Sequence, residues 1–161
     1  MNLEVGRAIF LCGSIREVTN KLHQLSVRLQ GRGKVLFIDT LNSINPHHNA
    51  YSGSFQKLIL KNIYCVRAEK PYDLLARLRT SDNFIGSKNI RAMLVNPLNI
   101  IFADSSREEL APLLNNIINA TEMLTEKHNL ITVIGNCPYQ DENAMTAAGI
   151  ILAKENIVMV K

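Results

Sequence analysis

Residues 7–39 read as strand, tight turn, helix, strand: RAIFLCG, SIREVTN, KLHQLSVRLQ and GKVLFIDT. A strand feeding a turn at the start of a helix is the architecture that cradles nucleotide phosphates, because the first N–H groups of a helix have no partner inside it. That chemistry needs glycines, so that the backbone can close on the phosphates. It also needs a Lys-Ser/Thr pair for the β/γ-phosphates and their magnesium ion. The turn here carries Ile15, Arg16, Glu17 and Val18 instead. The frame is present and its chemistry is missing.

The rest of the chain repeats the alternation. Short apolar runs at Ala8–Leu11, Val35–Ile38, Ile63–Val66, Asn99–Ala103, Ile131–Ile134 and Ile157–Val160 predict strands. Several are continuously apolar, as strands covered on both faces are. Leu22, Leu25 and Leu29 form one helical stripe that stops at Gly31-Arg32-Gly33. Phe55, Leu58 and Ile59 predict a short helix, and Pro71 opens another that carries Leu74, Leu75 and Leu78. The longest helix starts with capping-box spacing at Ser106-Arg107-Glu108-Glu109 and continues through Leu110 to Leu124. Pro112 predicts a broken first turn or a later start. Residues 80–98 carry no pattern that assigns a structure. The expected fold is α/β, one domain over 1–161, with a mainly parallel sheet and helices on both faces.

A chain of 161 residues with 47% hydrophobic content can bury a substantial core. Its net charge of +4 is a mild basic bias, compatible with nucleic acid and no proof of it. No apolar run approaches the roughly 20 residues of a membrane span, and the first residues lack the apolar core of a signal peptide. Cys12, Cys65 and Cys137 stand far apart without any CxxC, which predicts buried, reduced thiols in a cytoplasmic protein.

Read in order, the pieces resemble the ATPase core of the RecA/RadA recombinase superfamily, most closely its archaeal RadA and RadB type. HQLSV at His23–Val27 resembles the helix after that family's phosphate loop. KVLFIDT at Lys34–Thr40 resembles its second strand, and KNIYCVRAEKPYDLLARL its third strand and following helix. NIIFADSS at Asn99–Ser106 resembles the Walker B strand. ITVIGNCP followed by AAGIILAKENIVMVK resembles the last core strand and what lies beyond it. The resemblance implies a RecA-like sheet, truncated at its C-terminal edge, with no N-terminal domain or linker domain before it.

Set against the family pattern, the active groups are lost. Counting back from HQLSV places the family's Gly-Lys-Thr on Glu17-Val18-Thr19, so the lysine position is Val18. Sliding by one residue makes Gly13 the first glycine and restores nothing. Glu17 sets a carboxylate where the triphosphate's charge belongs. The acidic residue that follows IDT in the family and activates water is here Leu41, which cannot take a proton. Asp104 remains at the Walker B position, either as a metal-bridging carboxylate or as a cap for the turn through Ser105 and Ser106. The long basic loop expected after it is missing, and the second DNA loop, Asn136–Ala147, is more acidic than basic.

These readings imply a non-catalytic recombinase paralogue, a degenerate Walker A pseudo-ATPase in DNA recombination or repair. It has no catalytic residue, cofactor or metal, and acts through a protein partner, either a recombinase subunit or its own copies. The alternatives are a nucleotide sensor of the KaiC or RadB kind using Gly13, Thr19 and Asp104, and a weak nucleic-acid binder using Arg67, Arg77, Arg79, Lys88 and Arg91. A solvated face is the plainer reading of those five. His47 and His48 read as a polar loop, and Tyr139 as a lone aromatic without basic neighbours. No membrane partner is expected.

Overall fold

The computed structural model describes residues 3–41, 43, 61–138, 141–154 and 156–159. The elements in chain order are β1 (Arg7–Cys12), α1 (Ile15–Leu29), β2 (Lys34–Asp39), β3 (Ile63–Arg67), α2 (Pro71–Thr80), α3 (Asp82–Lys88), β4 (Ile90–Asn96), α4 (Arg107–Lys127), β5 (Ile131–Asn136), α5 (Glu142–Leu152) and β6 (Ile157–Met159). They build one α/β fold on a six-stranded sheet, ordered β3-β2-β4-β5-β1-β6, in which every pairing is parallel. This architecture agrees with a RecA-like parallel α/β fold.

Alternation along the strands divides the core in two. Val18, Leu22, Leu25 and Leu29 of α1 pack on Leu11, Val35, Phe37, Leu94 and Val133 on one face. The stripe of α2, α3, α4 and α5 packs on Phe10, Leu36, Ile38, Met93, Val95 and Ile134 on the other. Helices therefore lie on both faces, as the continuously apolar strands require. Between α1 and β2 a 3-10 turn at Gln30–Arg32 leads to Gly33, whose φ of +148° is open to glycine and strained for other residues.

Three readings of the sequence are corrected. Asn99–Ala103 is not a strand: Asn99–Phe102 forms a 3-10 turn, and the fourth strand is β4, inside the stretch that carried no assignable pattern. Pro97 ends the ladder after Asn96. The Asn99 side chain then pins the turn, with Nδ2 donating to the Cys137 carbonyl at 2.7 Å and Oδ1 accepting from the Cys137 N–H at 3.1 Å. The run is apolar because Ile101 and Phe102 are buried in the core, which periodicity alone does not separate from a strand. Second, α4 runs unbroken from Arg107 through Pro112. The one bond proline removes there is to the carbonyl of Glu108, an exposed residue in the first turn where water can serve. Third, Cys12 and Cys137 are buried, but Cys65 lies exposed on β3, a terminal strand among the described residues. The short helix expected at Phe55–Ile59 lies outside the described residues, as do His47, His48 and Tyr139.

Candidate functional site

In open parallel sheets ligands bind at the carboxyl ends of the strands. Here that rim brings together the turn Gly13-Ser14, the start of α1, and the last residues of β2, β4 and β5. The N-terminus of α1 is closed by its own side chains. Ser14 Oγ accepts from the Glu17 N–H at 3.3 Å, and Glu17 Oε2 accepts from the Ser14 N–H at 3.0 Å and from the Ser14 hydroxyl at 2.6 Å. This reciprocal capping box satisfies two N–H groups at the helix start, that of Glu17 with the Ser14 hydroxyl and that of Ser14 with the Glu17 carboxylate. The Ser14 hydroxyl, and then its N–H, hold the Glu17 carboxyl below its ordinary pKa. The position where an anion would meet the helix dipole already contains one.

Val18 follows, fully buried. A Cβ built on Gly135 of β5 would stand 2.7 Å from Val18 Cγ1, so Gly135 is the hollow that receives the valine. The Val18 side chain thus points into the core beneath α1.

Along α1, Thr19 and His23 lie one turn apart and face the ends of β2 and β4. Thr19 Oγ1 donates to Asn96 Oδ1 at 3.2 Å, and Asn96 Nδ2 donates to Ser43 Oγ at 2.8 Å. Ser43 Oγ donates to Asp39 Oδ1 at 3.1 Å and stands 3.1 Å from His23 Nε2. A hydroxyl has one proton and two lone pairs. With its proton on Asp39 and one lone pair taken by Asn96, the remaining lone pair faces His23 Nε2. In a serine hydrolase the carboxylate orients the histidine and the histidine takes the serine proton. Here, among the described residues, carboxylate and imidazole both engage the serine directly, and the serine lies between them. Asp39 also accepts from the Leu41 N–H at 3.2 Å, and the Thr40 hydroxyl bridges the carbonyls of Asn96 and Pro97. The cluster, with His23, Asp39 and Asn96 all buried, ties α1, β2, β4 and Ser43 into one latch.

Of the residues expected to bind nucleotide, Gly13 donates its N–H to the Asn136 carbonyl at 3.3 Å, and Thr19 belongs to the latch. Asp104 sits exposed in the turn before α4, with no hydrogen bond or ion pair among the described residues. The residue at the end of β4 is Asn96, an amide. Residues 97–106 contain no Lys, Arg or Gly, and Ser106 caps α4 by accepting from the Glu109 N–H at 3.3 Å. Asp141 likewise caps α5, accepting from the Asn143 and Ala144 N–H groups at 2.9 and 3.0 Å.

The five basic residues do not form one surface. Arg67 ends β3, opposite Asp39 at the carboxyl rim, while Arg91 lies at the opposite end of β4. Arg77 lines a cleft with Leu36, Val66 and Phe84, and Arg79 lines another with Asn116 and Met123. Two residues apart on α2, they point to different sides. Burial pushes the Cys12 thiol up, and burial with the neighbouring Cys12 pushes Cys137 up to about 11, so both stay protonated. Among the described residues, no helix is long and apolar enough to cross a membrane, and no three His, Cys, Asp or Glu side chains converge.

The latch was missed from sequence because His23 and Ser43 are 20 residues apart, and Asn96 ends a strand that showed no period. Spacing carries no signal for such a cluster. Comparison with protein-family models and with curated proteins finds no match for this chain.

Proposed function

We propose that this chain is a RecA-like protein without ATPase activity that works by binding another protein. The observation that carries the reading is the closed start of α1. Glu17 occupies the anion position, and Val18 fills the core where the resemblance would put a lysine. Asn96 supports it, since the strand whose end should hold a metal-bridging carboxylate ends in an amide that binds Thr19 and Ser43. The residues that would face a nucleotide face one another.

The surface that remains is the sheet edge. Among the described residues β6 pairs with β1 alone. The Phe10 N–H donates to the Asn156 carbonyl at 3.0 Å. By the alternation of a parallel ladder, the Val158 N–H then turns toward β1 and the Met159 N–H turns outward. Met159 is 64% exposed and Leu152 on the adjoining α5 is 49% exposed. An open strand beside apolar side chains is a template for pairing with a second chain. The resemblance makes that chain a recombinase subunit or another copy of this one, in DNA recombination or repair.

Two measurements test the reading. ATP turnover is expected at background, and a steady rate abolished by Asp104→Ala would overturn it. Light scattering across a concentration series, alone and with a recombinase, is expected to show association. Met159→Pro removes an outward donor and should weaken it. Monomer under every condition would count against the interface.

A further inference from the structure

Charge is unevenly distributed along the strand axis. Because the sheet is parallel, strand starts and helix ends gather at the rim opposite the latch. On its β3-β2-β4 side stand Arg28 in the last turn of α1, Arg32 in the 3-10 turn, Lys34 opening β2, Lys61 just before β3, Lys88 ending α3 and Arg91 in β4. Local contacts hold them together. Lys34 pairs in register with Ile90, the Val35 N–H donates to the Asn62 carbonyl at 2.8 Å, and the Arg91 stem lies against Gly33. Lys34 Nζ stands 5.8 Å from the centre of the Tyr64 ring. Lys34 is half-buried and the other five are exposed.

None of these six makes an ion pair among the described residues. On the β5-β1 side of the same rim Arg7 pairs with Glu4 at 3.6 Å and Lys127 with Asp82 at 2.8 Å, and His128 Nε2 stands 2.8 Å from the same carboxylate. Helix C-termini carry about half a negative charge each, so the ends of α1 and α3 offset roughly one of the six. The six exceed the net charge of the whole chain, +4, which leaves the remainder of the protein net acidic.

We infer that this rim binds the phosphodiester backbone of a nucleic acid strand, without reading its sequence. Neighbouring strands lie about 4.8 Å apart, so the cations spread over roughly 10 Å across three strand starts, a line suited to successive phosphates. Arg28, Arg32 and Arg91 bring planar forks that match phosphate oxygens. A membrane-surface anchor would also present apolar side chains for insertion. The large exposed ones, Val5, Ile15, Tyr72, Met123, Met145, Leu152 and Met159, all lie outside 28–34, 61–64 and 88–91. Lys88 and Arg91 keep the role first considered for them, and Arg67 at the far end of the strands does not share it. The surface is separate from the closed nucleotide position and from β6, so it stands or falls apart from the function proposed above.

The test is fluorescence anisotropy of the whole chain with a labelled mixed-sequence DNA oligonucleotide, single-stranded and duplex, over a salt series. Engaging four to six phosphates gives a slope of log K against log salt of about −3 to −4 on the single strand. Arg32→Glu/Arg91→Glu should weaken binding at least tenfold and flatten the slope by about 1.4. Arg28→Glu/Lys88→Glu, away from the Gly33 contact, should do the same and covers the case in which circular dichroism shows the first variant unfolded. Arg16→Glu/Arg107→Glu, in the first turns of α1 and α4 on the opposite rim, should bind as the parent does. Absence of salt-dependent binding, or binding indifferent to both rim variants, overturns the inference. Binding to phosphatidylserine vesicles with none to the oligonucleotides also overturns it, assigning the rim to a lipid surface.

Discussion

Glu17 closes the start of α1 with a carboxylate drawn from the helix itself, and Ser14→Ala would open that closure by removing half of the capping box. The usual worth of an N-cap is about 1 kcal/mol, which for a chain of this size lowers the melting temperature by about 2–4 °C. The pH dependence has a definite sign. Hydrogen bonds from Ser14 hold the Glu17 carboxyl below its ordinary value. Its contribution is therefore complete above the unfolded pKa and is lost as pH falls through the folded one. An acid titration of stability should be shallower in Glu17→Gln. Val18→Lys tests whether position 18 points outward. An unpaired ammonium in that fully buried site costs on the order of 3–5 kcal/mol, so the variant should melt far below the parent instead of gaining nucleotide. Gly135→Ala presses on Val18 Cγ1, Leu22 Cδ1 at 3.0 Å and the Val95 carbonyl at 3.1 Å. Overpacking of that kind costs about 1–3 kcal/mol. Adding Val18→Ala should return part of the loss, since one of the three contacts disappears.

At the scale of elements, the latch joins α1 to β2 and β4 through Asn96. Asn96→Ala leaves the Thr19 hydroxyl without its acceptor and takes one donor from Ser43, which Asp39 and His23 still hold. A loss of about 2–3 kcal/mol is expected in denaturant unfolding. The alternation of strands and helices was legible where a helix kept its apolar period, Leu22, Leu25 and Leu29 on α1, Leu74, Leu75 and Leu78 on α2, and Leu110 to Leu124 on α4, but not at the short α3 within 80–98. Ser106 also announced the start of its helix. β4 escaped because an exposed Arg91 interrupts its apolar run and Pro97 closes it. A local signal for it did exist. Asn89, Asn129 and Asn156 each take positive φ just before β4, β5 and β6, as Gly6 and Gly33 do before β1 and β2. Such left-handed residues are the ordinary end of a helix or turn feeding a strand. The Asn-Ile pair at 89–90 therefore marked the strand more reliably than its hydrophobicity. The latch could not be read the same way, because its members meet only once the sheet order is known.

For the whole molecule, one parallel sheet separates three regions: a closed carboxyl rim, a β6 strand that among the described residues pairs with β1 alone, and a basic amino rim. The proposed lack of nucleotide binding rests on the carboxyl rim. Isothermal calorimetry of the unmodified chain with ATP and magnesium tests it most directly, because it reads occupancy without requiring turnover. With Glu17 in the anion position, Val18 in the core and Asn96 bonded to Thr19 and Ser43, no heat of binding is expected for an affinity better than about millimolar, where only some 4 kcal/mol of binding free energy is at stake. A saturable micromolar isotherm, reduced by Thr19→Ala or Asp104→Ala, would contradict the account and make the protein a nucleotide sensor.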